Sequence, residues 1–323
     1  MAIGLFERMK QRTGLIGAEK IMLFYWGFTM ILLLCFMNSI HNPVHMFIER
    51  GLILVGVVLV WFIYKLYPCR MTFFLRILYQ MALLAYWYPD TYEFCQLFPN
   101  LDHKFADAEQ VLFGCQPALT FGYTFSSFFW CEALNMGYFS YYPIIAIVVL
   151  VTFFTCYHRF EKTSFIIISS FLIYYAIYLF LPVAGPQYYF QAIGLDKVMM
   201  GHFPPVGDWF RTHTELLPAN VKGGFFQQLV DGTQASGERP TAAFPSSHVG
   251  MSTIMMILGY KVNKKLFVCL LPFYVLLCCS TVYVQAHYLI DVIAGFISAV
   301  FIYKISHKLY YTRLFHRPHG FSC

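Results

Sequence analysis

The chain has 323 residues, of which 59% are hydrophobic, 20% aromatic and only 12% charged. That balance excludes a soluble domain with a large core and predicts an integral membrane protein. In so apolar a chain the net charge of +6 reports topology and implies no nucleic-acid partner.

Residues 1–20 carry Glu7, Arg8, Lys10, Arg12, Glu19 and Lys20. They predict an amphipathic interfacial helix, not a cleavable signal, because the apolar stretch is too long and no small-residue cleavage site follows. Hydrophobic runs of spanning or near-spanning length follow near 21–38, 51–67, 71–88, 141–158, 163–181, 246–261, 266–283 and 285–304. The third is weakened by Arg76 and Gln80, and the sixth is short. The expectation is an all-α polytopic bundle of about eight transmembrane helices. Residues 21–68 form two spans ahead of a core over 69–305, with a basic tail at 306–323. His41 and His45 share i, i+4 spacing, but Pro43 between them makes an interfacial loop the better reading.

Basic groups gather at the N-terminus, at Lys65 and Arg70, Arg159 and Lys162, Lys261, Lys264 and Lys265, and Lys304, Lys308, Arg313 and Arg317. Loop 89–140 instead carries Asp90, Glu93, Asp102, Asp107, Glu109 and Glu132 against Lys104. The positive-inside rule then puts both termini in the cytoplasm. Loops 89–140 and 182–245, with His248 and His287, fall together on the extracytoplasmic face. Ten cysteines show no zinc-type CxxC pair. Cys278 and Cys279 read as packing residues. Cys95, Cys115 and Cys131 could pair outside, but sequence assigns no connectivity.

An ionisable group near the membrane centre costs on the order of 2.5–3.5 kcal/mol, so one kept there usually has a task. Phe244-Pro245-Ser246-Ser247-His248 and Gln285-Ala286-His287-Tyr288-Leu289-Ile290-Asp291 each open an apolar helix and carry such groups. On a helix His287 and Asp291 share one face, where the acid fixes the tautomer and frees one nitrogen to attack. His248 can serve as general acid. The helix start at Ser246 and Ser247 offers free N–H groups or hydroxyls to a phosphate, or simple caps. Arg239 adds a bidentate positive charge. The set reads as phosphoryl transfer through a phosphohistidine. The competing reading is a non-enzymatic bundle, either a haem or metal carrier using the two histidines or a transporter.

Arg239-Pro240, Pro245-Ser246-Ser247-His248 and Ser280-…-His287-…-Asp291 resemble the three motifs of the type 2 phosphatidic acid phosphatase and vanadium haloperoxidase superfamily. The resemblance implies a six-helix core, formed here by the third to eighth spans. It also implies His287 as nucleophile, Asp291 as its orienting group and His248 as proton donor, without metal or cofactor. Two family positions depart: Gly232 stands where the first motif begins with Lys, and Thr281 where the third has Arg. Spacing gives no support to Lys222 or Arg211 as replacements. Ser280-Thr281-Val282-Tyr283 with Ala286-His287-Tyr288 and Asp291 is similar to the inositol phosphorylceramide synthases, and the His-Tyr-x-x-Asp core also resembles sphingomyelin synthase. Pro182-Val183-Ala184-Gly185-Pro186-Gln187-Tyr188-Tyr189 resembles a segment of those synthases, which makes Gln187, Tyr188 and Tyr189 candidate headgroup contacts. The branch implies a phospholipid donor and a lipid acceptor. A lipid phosphate monoester phosphatase on the same scaffold is the alternative.

Overall fold

The computed structural model describes residues 4–219 and 221–315, and all their regular structure is helical. The helices are α1 Gly17–Phe36, α2 Pro43–Leu66, α3 Arg70–Cys95, α4 Asp102–Phe113, α5 Pro117–Thr124, α6 Phe128–Phe139, α7 Tyr141–Thr155, α8 Tyr157–Tyr178, α9 Pro186–Ile193, α10 Leu195–Met199, α11 Phe225–Gly237, α12 Ser247–Val262, α13 Lys264–Tyr283 and α14 Leu289–Tyr310. Five of them (α1, α2, α8, α13 and α14) are long and apolar enough to cross a membrane, and α6 with α7, bent by 40°, makes a sixth. The other two expected spans are helices of a different kind. α3 carries Arg70, Arg76, Asp90 and Glu93, and α12 has only 16 residues. The architecture is that of a multi-pass helical bundle.

Among the described residues, one compact unit draws on 4–87, 151–172 and 303–315. In it the Arg76 guanidinium, which weakened the third span on paper, is buried against Glu19, with Nε 2.7 Å from Oε1. Pairing offsets part of the penalty that an isolated charge would carry there. The amphipathic helix expected over 1–20 does not form across the described part of that stretch. Residues 4–16 are turns and irregular backbone, and only 17–20 are helical, as the start of α1. The backbone of this segment bonds elsewhere: Met9 N–H donates to Pro68 O at 2.8 Å, Met71 N–H to Leu5 O at 3.2 Å, and Arg12 N–H to Tyr64 Oη at 3.1 Å. Such bonds compete with the i→i−4 ladder. The end of the expected tail, residues 316–323 with Arg317, lies outside the described residues.

The second unit comprises 88–150 and 173–302. α13 packs along α6 and α12. At the first contact Gly137 permits the approach: a Cβ there would lie 2.4 Å from Ser280 Oγ and 2.9 Å from the Leu276 carbonyl carbon. Val183, Tyr188, Tyr189, Phe190, Val249, Val282, Tyr288 and Val292 share one buried apolar cluster. That cluster draws segments 182–193, 243–249 and 282–292 to one place. Asp102, fully buried at the start of α4, ties the first of these to the last: it accepts from Ala184 N–H at 2.7 Å, Gly185 N–H at 2.8 Å and Tyr288 Oη at 3.1 Å. Glu109, on the same face of α4, accepts from Ile290 N–H at 3.1 Å, in the first turn of α14.

Candidate active site

Ser246 caps α12, its Oγ accepting from Val249 N–H at 3.3 Å, so His248 lies in the first turn of that helix. His287 differs from the expectation. It lies on the 284–288 connection between α13 and α14, ahead of the helix that begins at Leu289. The two imidazoles nevertheless meet, with His248 Nδ1 3.2 Å from His287 Nε2. His248 is stacked on Tyr138 at 4.8 Å between ring centres, and Tyr141 flanks it at 4.5 Å.

The tautomers follow from the partners. His287 Nδ1 is 2.8 Å from the Ala243 carbonyl oxygen, which can only accept, so Nδ1 carries the proton and Nε2 keeps its lone pair. His248 Nδ1 is then the donor between the rings. Asp291 was expected to make the bond to His287, but its Oδ2 is 3.7 Å from Nδ1 and accepts instead from Tyr288 N–H at 2.8 Å. The reason is local. Because His287 precedes the helix, the two side chains do not share a helical face, and the Ala243 carbonyl reaches the ring first. The Asp291 carboxyl remains beside the imidazole, and its backbone carbonyl accepts from Ser246 N–H at 3.1 Å. Ala242 and Gln285 hold φ of 68° and 62° and are the non-glycine residues with positive φ among those described. Both flank this contact, where such strain is characteristic of functional sites.

The space between the histidines is lined also by Tyr88, Gln187, Tyr188, Glu238 and Arg239. Its volume is only about 10 Å³, so a phosphoryl group needs the lining side chains to part. Among the described lining residues Arg239 is the only Lys or Arg, and its Nη1 donates to the Glu238 carbonyl at 3.0 Å. Thr281 is buried, its hydroxyl donating to Cys278 O at 2.9 Å. Gly232 faces open space on α11. Arg211 pairs with Asp208 at 3.3 Å and donates to Gln96 O at 3.1 Å.

Other expected contacts divide. Ser246 and Ser247 are buried, the first with its hydroxyl spent on the cap. Gln187 and Tyr188 line the site. Tyr189 points away, donating from Oη to Pro204 O at 2.9 Å within the apolar cluster. Cys95, Cys115 and Cys131 are free thiols. Gln187 also borders a neighbouring cleft of about 300 Å³ lined by Asn135, Gln227, Asp231, Gln234 and Gln285.

Four groups at or behind the site escaped the reading of the sequence. The Ala243 carbonyl has no side-chain signature. Glu238 has no signal beyond its place beside Arg239, and in sequence Asp102 and Glu109 read only as topological charges. Their seven-residue spacing, two turns of one helix face, was the available signal. Burial pushes Asp102 up to about 6 and Glu109 up to about 7, against the backbone N–H groups that favour their charged forms. It also raises Glu238, opposed by the bonds from Tyr138 and Gln187. Burial holds His287 down to about 4, opposed by its bond to Ala243, so the ring is neutral at physiological pH.

A family model described as the PAP2 superfamily matches residues 103–305. No curated protein and no solved structure matches the chain.

Proposed function

The chain belongs to the PAP2 superfamily, and from that premise we propose that it transfers a phospho-headgroup from a phospholipid to a lipid hydroxyl. Lipid phosphoester chemistry comes with the family, and it sets aside the haem-carrier and transporter readings. In the proposed mechanism His248 takes up a proton as the phosphate enters between the rings, His287 Nε2 attacks phosphorus, the bond to the departing lipid alcohol breaks, and the His248 imidazolium supplies the proton to that oxygen. The acceptor hydroxyl then attacks the phosphohistidine and gives its proton back to His248. Asp291, 3.7 Å from His287 Nδ1, stabilises the positive charge that develops on the ring. Arg239 holds the phosphoryl oxygens, helped by backbone N–H groups at the start of α12.

The observation that carries the proposal is the meeting of the two imidazole nitrogens at 3.2 Å beside Arg239. The choice of transferase rests on charge. A monoester bears nearly two negative charges and a diester one, and Gly232 and Thr281 leave the site two cations short of the family pattern. Each missing cation is worth about 1.5–3 kcal/mol to a bound phosphate. The inositol phosphorylceramide synthase-like reading is the form of this proposal closest to the sequence motifs. The family equally supports a lipid monoester phosphatase. The proposed orientation, from the distribution of basic residues, puts the site on the extracytoplasmic side with both termini in the cytoplasm.

The deciding experiment supplies the purified protein in vesicles with a headgroup-labelled phospholipid and ceramide or diacylglycerol as acceptor. Phosphatidic acid is offered in parallel. Label appearing on the acceptor supports transfer. Release of free phosphate from phosphatidic acid, far faster than any headgroup transfer, establishes the phosphatase reading instead.

A further inference from the structure

The carboxyl of Glu238 is out of place in a site for phosphate. It follows α11 directly, is enclosed with Arg239, His248 and His287, and belongs to no motif that pointed to the site. Resting on the phosphoester reading of that site, we propose that Glu238 is a specificity-determining residue whose carboxylate admits singly charged phosphodiesters and repels doubly charged monoesters.

Burial favours the neutral form of its carboxyl, and the hydrogen bonds around it oppose that by favouring the charged form. Tyr138 Oη–H donates to Oε1 at 2.8 Å, and Gln187 Nε2–H donates to Oε2 at 3.1 Å. Gln234 Nε2–H in turn donates to Gln187 Oε1 at 3.0 Å, which fixes the amide with its N–H groups toward Glu238. An ionised carboxylate only accepts, and every bond in this chain runs toward it. Donors aimed at the charged form favour that form. Arg239, the only Lys or Arg among the described lining residues, gives Nη1 to the Glu238 backbone carbonyl, so the guanidinium stays beside the site.

The consequence is a matter of sign. Arg239 and Glu238 cancel, whereas the family pattern would add cations at Gly232 and Thr281. A monoanion entering such a site meets one attraction and one repulsion. A dianion meets both at twice the strength, so they still offset, and Glu238 thereby cancels the doubled attraction that a dianion would need to repay its much larger desolvation cost. Unlike cation loss alone, this arrangement makes one side chain responsible for discrimination, so its removal has a signed outcome.

The test compares 4-nitrophenyl phosphate with bis(4-nitrophenyl) phosphate at pH 8 on the purified full-length protein. The two substrates share a leaving group and differ in charge. Glu238→Gln should raise the monoester-to-diester ratio of kcat/KM at least tenfold. Glu238→Asp, which keeps the charge, should stay within threefold of wild type. A ratio in Glu238→Gln within threefold of wild type overturns the proposal. So does an equal loss of both activities, which would make Glu238 a general base or a structural support. Should Glu238→Gln fail to fold, the wild-type protein still decides, through inhibition of its lipid turnover by diethyl phosphate and by inorganic phosphate at pH 8. Diethyl phosphate should inhibit at a concentration at least tenfold lower, and equal or reversed potency overturns the proposal. Turnover surviving in His287→Ala would instead bring down the phosphoester mechanism itself, so the two failures are distinguishable.

Discussion

Gly295 offers a direct test of whether the separation of the two histidines governs turnover. It lies on α14 against the start of α12, where a Cβ would sit 2.7 Å from the Ser246 carbonyl oxygen and 3.2 Å from Val249 Cβ. The first of these neighbours is backbone, so no side chain can rotate out of the way. Ordinary contact begins near 3.4 Å, and Gly295→Ala therefore requires the two helices to part by about 0.7 Å at this point. The displaced residues are those that carry the chemistry. Ser246 caps α12 two residues before His248, and its N–H donates at 3.1 Å to the carbonyl of Asp291, four residues after His287. A misplacement of about 1 Å costs on the order of a hundredfold in rate, so a loss of about ten- to a hundredfold in kcat is expected. Overpacking should also lower stability by about 1–3 kcal/mol. The assay is turnover at saturating lipid in detergent micelles, with a thermal melt to establish that the variant is folded. A folded Gly295→Ala protein with wild-type kcat would refute the reasoning, since it would mean that the site tolerates the shift or never depended on this contact.

The remaining predictions concern the nucleophile, the topology and the buried acids. His287→Ala should lose several orders of magnitude in turnover while remaining inserted and folded, because no other group can form the covalent intermediate; retention of more than a small fraction of activity by phosphate or lipid product assay sinks the mechanism. A cysteine introduced near residue 240, in a background freed of other accessible cysteines, should react with an impermeant reagent applied outside, and one near residue 263 should not; the opposite labelling would put the chemistry on the cytoplasmic face. Glu109 titrates near 7 in the fold against an ordinary 4.5, so folding favours its protonated form. Its stabilising contribution, about 3 kcal/mol, is present below pH 4.5 and is lost as the pH rises through about 7. The thermal midpoint should fall over that window less steeply in Glu109→Gln than in wild type, and identical slopes would show that Glu109 is not the titrating group.

What the sequence determined by itself was the class of fold and the identity of the charged groups worth examining. Membrane-length apolar runs permit little but helices, because backbone polar groups in lipid must bond within their own segment. The cost of an ionisable group in such a run made His248, His287 and Asp291 conspicuous. Other features depended on contacts between segments remote in sequence. Whether residues 4–16 coil into a helix depended on the hydrogen-bond partners offered by Pro68, Met71 and Tyr64. Whether Arg76 interrupts a span depended on Glu19, 57 residues earlier. Spacing alone assigns Asp291 as the partner of His287, on the assumption of a continuous helix. Tertiary structure ended α13 at Tyr283, began α14 at Leu289 and brought the carbonyl of Ala243 to the ring. A backbone carbonyl carries no sequence signal, and a buried acid such as Glu238 reads like any loop charge until the chain folds around it. Spacing along the chain identifies groups that need a partner, and only packing across it decides which partner each receives.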